Sequence, residues 1–457
     1  MKPGSTCRLV IAIWSVCAGA LALSCSGSSH KKVVPVDGSE GGLGGATEEV
    51  GAPGDRGGEA GALVEGGAPS DAGAGGAAPA GGAAPAGGTA SNGGSPNGGT
   101  AGDGEAIAGA PSSLECEGEL TFQDQAFEGS VRLALNIPQG PITGHDVAQL
   151  TELTVGGIDG TPDIDGIECF INVTALHFGD NSAAPQPLSA LADLPKLKTL
   201  DLNHDYLTNA DIAELAELTQ LTALDLTDNF LSSIEPLATL VNLKSLNLSG
   251  NGDFNSTKMD ISPLEELTQL EALNLAFVLV ADATPLAKLS KLKQLSLRSV
   301  KLTNLTVVAG LKNLTSLNLS NTQIQDITPL ASLTQLTTLD VSSNTLTSFS
   351  TLNSFTALTD LSVKGTGLVN LSAIASLKAL TTLDVSNNSI TDVAVLGALP
   401  AIQTLTISSN PIASLTPLTS SNAIGPGDEI FAEALDCALG FAALKQKGVI
   451  LHTSCGN

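Results

Sequence analysis

Two histidines, His177 and His204, stand one or two places from leucines that recur along this 457-residue chain, with Asp180, Asp201 and Asp205 beside them. Imidazole and carboxylate side by side supply either a set of metal ligands or a weak acid–base pair. Hydrolytic chemistry also needs a pocket, and the elements that carry these residues build an open surface, so the group reads as polar surface with no metal. Asp159, Asp163 and Asp165 ahead of Gly166 have part of the spacing of a calcium loop. Thr161 stands where that loop requires its first acid and Asn172 where it requires a bidentate glutamate, so the segment reads as a turn. His30, His145 and His452 are scattered, and no histidine lies in an H-E-x-x-H or beside a G-x-S-x-G. Glycine-rich fragments such as Gly81-Gly82 follow no strand and open no helix, which excludes a nucleotide loop. The expectation is a non-enzymatic protein without a cofactor.

The elements that must position these residues are repeats. The phrase L-x-x-L-x-L-x-x-N runs from Leu153 to Leu405. Leu317, Leu339, Leu361, Leu383 and Leu405 follow one another at intervals of 22 residues. Leu295, Leu273, Leu246, Leu224, Leu200, Leu176 and Leu153 precede them, with gaps of 22, 22, 27, 22, 24, 24 and 23. A period of this size means an α/β solenoid, here a leucine-rich repeat horseshoe of about twelve turns, most of 22–24 residues and one of 27. Side chains alternate along a strand, so the leucines of L-x-L point inward and their neighbours outward. Successive strands then stack into one parallel sheet on the concave side, a slab on the order of 50 Å long at about 4.8 Å per strand.

The phrase ends on Asn229, Asn251, Asn344, Asn388 and Asn410, or on Asp205, Thr322 and Thr366. A buried amide there satisfies backbone groups that the tight bend strands, which makes these residues structural. Between strands the chain reads like Ile327-Thr328-Pro329-Leu330-Ala331-Ser332-Leu333. Proline fits the first turn of a helix and not its interior, so the convex side is expected to be short 3-10 or one-turn helix. From about residue 120 onward, the 22-residue turn with its I-x-x-I-x-P-L-A-x-L-T-x-L return resembles the internalin-type bacterial leucine-rich repeat proteins. The motif is specific for fold and much less so for function. No wall anchor follows Cys455, so host-cell invasion is not expected to carry over.

A repeat stack must hide its terminal apolar faces. Phe122, Phe127, Val131 and Leu135 fall near helical spacing, and a second short helix starts near Thr143, so residues 114–150 resemble the helical N-terminal cap of that family. Repeats are expected over 151–418 and a C-terminal cap over 419–457, with a closing helix across 430–444 and an edge strand near Ile450. Cys116 and Cys169 lie towards one end of the stack, Cys437 and Cys455 towards the other. A bridge between the ends would have to span the whole slab, which leaves Cys116–Cys169 and Cys437–Cys455 as disulfides of the two caps. Buried free thiols are the alternative, and export argues against them.

Lys2 and Arg8 precede an apolar run over residues 9–23, too short to span a bilayer comfortably, so residues 1–24 read as a signal peptide. Its exit, Leu21-Ala22-Leu23-Ser24-Cys25, resembles a lipobox, with leucine displaced from its commonest position; simple secretion is the alternative. Cleavage before Cys25 would leave a lipidated N-terminus on the outer membrane or cell surface, because several acyl chains anchor stably. Residues 25–113 collapse into Gly, Ala, Ser and Pro and read as a disordered tether averaging roughly 50 Å end to end. The formal charge is -26, and removing Lys2 and Arg8 with the leader makes it more negative by two. Nucleic acid is excluded as a natural ligand, since it requires clustered Lys and Arg.

The concave face is mostly small and polar, as at Thr199, Asp225, Asn247 and Ser316. One region departs from this. The 27-residue turn carries an insert around Phe254, after which the corner asparagine gives way to Val278 and Val300, and Phe277, Lys293 and Arg298 appear. A docking site is expected here, with Phe277 as apolar anchor, Arg298 and Lys293 as charge contacts and Phe254 on a protruding loop; drift in a tolerant repeat is the alternative. The function that follows is recognition of an extracellular protein or glycan by a lipid-anchored module. A self-associating structural surface component is second, and an enzyme a distant third.

Overall fold

The computed structural model describes residues 116–157, 160–252, 258–302 and 304–455. Among them the chain forms one parallel sheet of fourteen strands in strict chain order, from β1 (Glu152–Thr154) to β14 (Ile450–His452). Each strand has three residues, and its central leucine or isoleucine faces its counterpart on the next turn: Leu153 faces Leu176, Leu176 faces Leu200, and so on to Leu405 and Ile430. These central side chains are buried while their neighbours, buried Ser296 apart, are partly or fully open to the concave surface, as the alternation requires. Each buried leucine contributes about 1.5–3 kcal/mol, and only by stacking on the next turn.

The return segments are short 3-10 helices, such as Glu235–Thr239, Ser262–Glu265, Thr284–Lys288 and Thr328–Ser332, each with proline at its start. The horseshoe, its parallel concave sheet and its 3-10 convex side are as the sequence predicts.

At the corner the amides form a ladder. Asn344 Oδ1 accepts the N–H groups of Thr322 (3.1 Å) and Ile324 (3.2 Å), while Nδ2 donates to the carbonyls of Leu319, Val341 and Ser342. Asn229, Asn388 and Asn410 repeat the pattern. Thr322 and Thr366 do part of it through Oγ1, donating to Leu319 and Val363. Where the ladder lapses, the backbone closes the corner itself: Val278 N–H donates to Leu275 O and Val300 N–H to Leu297 O, with both valines buried. The residue just before each ladder position is left-handed, for example Asp228 (φ 51°), Gly250 (71°), Phe277 (63°) and Asn321 (57°).

The N-terminal cap is helical. In α1 (Gln125–Leu135) the carboxylate of Asp124 accepts the N–H groups of Ala126 and Phe127. A reciprocal capping box of Thr143 and Asp146 starts α2 (Gly144–Val147). Phe127 packs on Phe122 and Phe170 and closes the first turn. Both expected disulfides are present, Cys116–Cys169 and Cys437–Cys455, each with Cα atoms 5.4 Å apart.

The C-terminal cap corrects the expectation. Residues 430–444 are not one helix: Glu429–Phe431 is strand β13, followed by a 3-10 turn at Cys437–Leu439 and a single α turn at Ala442–Gln446. The four-residue spacing of Phe431, Leu435 and Leu439 imitates a helix. Burial instead alternates, with Ile430 and Ala432 inward and Glu429 and Phe431 outward, and left-handed Ala434 (φ 54°) and Gly440 (φ 74°) interrupt any helix. With β14, this adds two strands to the twelve read from the leucines.

Candidate functional site

The concave face is a grid, because each outward position of one turn lies beside the same position of the next. Its N-terminal part is acidic and carries both internal histidines. His177 lies between the carboxylates of Glu152 (3.4 Å) and Asp201 (3.5 Å), contributed by the turns on either side. The Asp201 hydrogen bond is the main reason its imidazole is held above the usual histidine range. Burial works to raise the carboxyl of Asp201, but hydrogen bonds from His177 and Asn203 outweigh it and leave it lowered. On the next strand Asp225 is pushed up, by burial first.

His204 stands in a different row, nearer the corner. Its Nε2 is 3.0 Å from Asp228, and its Nδ1 is 3.6 Å from Asp180. The structure therefore separates the two histidines, gives each its own carboxylates from adjacent turns, and buries Asp205 in the corner ladder. Among the described residues no three His, Cys, Asp or Glu side chains converge to hold a metal ion.

Between the sixth and seventh turns the structure brings Phe277 and Arg298 together, with the guanidinium carbon 5.1 Å from the ring centroid, a cation–π contact. Phe277 is 55% exposed and left-handed, where neighbouring turns place the smaller or polar Asp228, Gly250, Ser299 and Asn321. A left-handed conformation costs a bulky side chain roughly 1–2 kcal/mol, so an exposed phenylalanine is held here against both backbone and solvent preference. Lys293 is not brought to this pair. It lies on the other side of the strand Gln294–Ser296 from Arg298 in the chain, and bonds Glu271 at 2.6 Å. That bond lowers the Glu271 carboxyl. Phe254 and Cys25 lie outside the described residues.

Tyr206 and Phe230 pack together on the corner rim, with ring centroids 5.6 Å apart, and Tyr206 is 59% exposed. Exposed Leu279 lies two residues after Phe277, and the sequence reading did not place Tyr206, Phe230 or Leu279 in the site. The signal was available: all three stand six residues after the central strand leucine, at Leu200, Leu224 and Leu273. At the far end of the sheet Phe431 stacks on His452, with centroids 4.1 Å apart.

Comparison with known proteins agrees with this geometry. Residues 312–354 and 378–420 match the family model for leucine-rich repeats in two copies, and residues 195–252 match a leucine-rich repeat model. No curated protein matches the chain. An internalin (inlF) from Listeria monocytogenes is 29% identical, with a TM-score of 0.56, over 66% of this chain and 94% of that one. The functional domain of InlJ from Listeria monocytogenes, which includes a cysteine ladder, is 24% identical with a TM-score of 0.51, over 69% of this chain and 70% of that one, and shares the fold. The chain thus carries leucine-rich repeats and shares the solenoid fold of these Listeria internalins, with an open parallel sheet among its described residues.

Proposed function

We propose that this chain is a non-enzymatic recognition module that binds an extracellular protein or glycan across its concave face and the corner rim around Phe277. The observation that carries the reading is the Phe277–Arg298 contact: an aromatic residue held exposed in a left-handed conformation, with a guanidinium over its ring. Phe and Arg are residue types that concentrate binding energy, and they stand on a face made mostly of small and polar residues. The disulfides in both caps suit an oxidising compartment. In the same proposal residues 1–24 direct export, Cys25 carries the lipid, and residues 25–113 act as the tether that lets the solenoid meet a partner across a gap.

The test is affinity capture from cell-surface extracts with the native chain and with a Phe277→Ser, Arg298→Glu double variant. A partner retained by the first and lost by the second is the expected result. Capture of nothing but further copies of the chain, equally by both, would replace recognition with a structural, self-associating role.

A further inference from the structure

The corner ladder contains one acid. Asp205 occupies the place held by Asn181, Asn229 and Asn251 in the turns around it, and it is 1% exposed. Its backbone keeps the ladder register, because its N–H donates to Asn229 Oδ1. Its Oδ1 accepts the N–H of Asn181 at 3.0 Å, as an asparagine Oδ1 would. The difference lies on the other branch. Asn229 Nδ2 donates to the carbonyls of Leu202 (2.8 Å), Leu226 (3.0 Å) and Thr227 (3.3 Å). Asp205 carries an oxygen at that place, and this buried Oδ2 has no hydrogen-bond partner.

Shifted back one turn, the same register gives Phe178, Leu202 and Asn203 as the carbonyls around Oδ2. An ionised carboxylate is an acceptor only, so there it would meet lone pairs with lone pairs and have no water to solvate it. A protonated carboxyl has the shape of an amide and can donate from Oδ2 as the amide donates from Nδ2. A metal ion is a poor alternative, because in the neighbouring turns this place holds a single amide nitrogen already in contact with its acceptors.

We propose that Asp205 is a neutral carboxylic acid in the folded chain, donating its proton into the ladder as the asparagines donate theirs, and that its ionisation unlocks this one corner. Burial above all pushes the Asp205 carboxyl up to about 8, the Asn181 N–H opposes this, and the charges of Asp201 and Asp180 add to the rise. The groups around it come from three turns. The preceding turn brings Asp180 and His177, its own turn brings Asp201 and His204, and the following turn brings Asp228, which pairs with His204 at 3.0 Å. Because His204 and Tyr206 flank Asp205 in sequence, opening this corner disturbs the acidic and aromatic part of the rim. The inference is independent of whether that rim binds a partner.

The sign follows from linkage. A carboxyl whose folded pKa lies above its unfolded value gives stability that is fully present below the unfolded value and is gone once pH has risen through the folded one. Between about pH 4 and about pH 8 the folding equilibrium should lose about tenfold per pH unit from this group alone.

The experiment is urea unfolding of the full chain and of Asp205→Asn across that range, with infrared difference spectra of the two proteins. The expected result is a native profile steeper than the variant's by one proton, with the variant gaining on the native protein as pH rises. At neutral pH the native protein should also show the carbonyl stretch of a protonated carboxyl group that the variant lacks, fading above about pH 8. Parallel stability profiles, or a native spectrum with only ionised carboxylates at neutral pH, would overturn the proposal.

Discussion

Asn344 shows how much one side chain does in this architecture. It makes five hydrogen bonds to main-chain groups, joining two successive turns. Replacement by Ala leaves those buried groups unpaired, and a loss of about 2–4 kcal/mol is expected in chemical denaturation, with little change for the exposed Thr345→Ala next to it. His177 makes a pH-dependent contribution. Because its folded pKa is raised, the stability from its contacts with Asp201 and Glu152 is fully present below the ordinary value of 6.5 and is lost as pH rises through the folded one. An NMR titration should find the imidazole above the ordinary range in the native chain and nearer to it in Asp201→Asn. Phe277 and Arg298 stand out in the sequence because they interrupt a regular corner and an otherwise bland run of small polar residues, and the structure places them in contact. Lys293 was not separable from them by sequence alone, since it is close to Arg298 in the chain while the strand Gln294–Ser296 lies between them and its ammonium is taken up by Glu271.

Elements were legible where one pattern dominated. The leucine spacing located the first twelve strands, and proline located five of the return turns. The end of the sheet was harder to read. At β13 the apolar residues satisfy a four-residue and a two-residue period together, and only the left-handed Ala434 and Gly440 decide between them. The caps also carry constraints that spacing does not show. A Cβ on Gly144 would stand 1.7 Å from the carbonyl oxygen of Cys116. Gly144→Ala should therefore displace the segment that carries Cys116 from α2. Faster amide exchange across α1 and α2 is expected, with exchange in the strands from Ser316–Asn318 to Thr382–Asp384 unchanged, because each turn is stabilised by its neighbours alone. Spread of the effect to those distant strands would mean that the stack melts as a single unit.

At the scale of the whole molecule, an acidic chain presents, among its described residues, an open parallel sheet of fourteen strands. Its outward grid is polar along most of its length, and at one rim Phe277, Leu279 and Arg298 supply exposed apolar and cationic groups. Recognition is proposed to lie there. Contact at that rim can be read most directly by placing a photo-crosslinking amino acid at Phe277 and, in a separate protein, at the exposed Val369 on a return loop, and irradiating each on intact cells. The account predicts a discrete adduct from position 277 that is absent from position 369 and is competed away by unlabelled native chain but not by the Phe277→Ser, Arg298→Glu variant. Equal labelling from both positions, or no adduct except to copies of the chain itself, would contradict it.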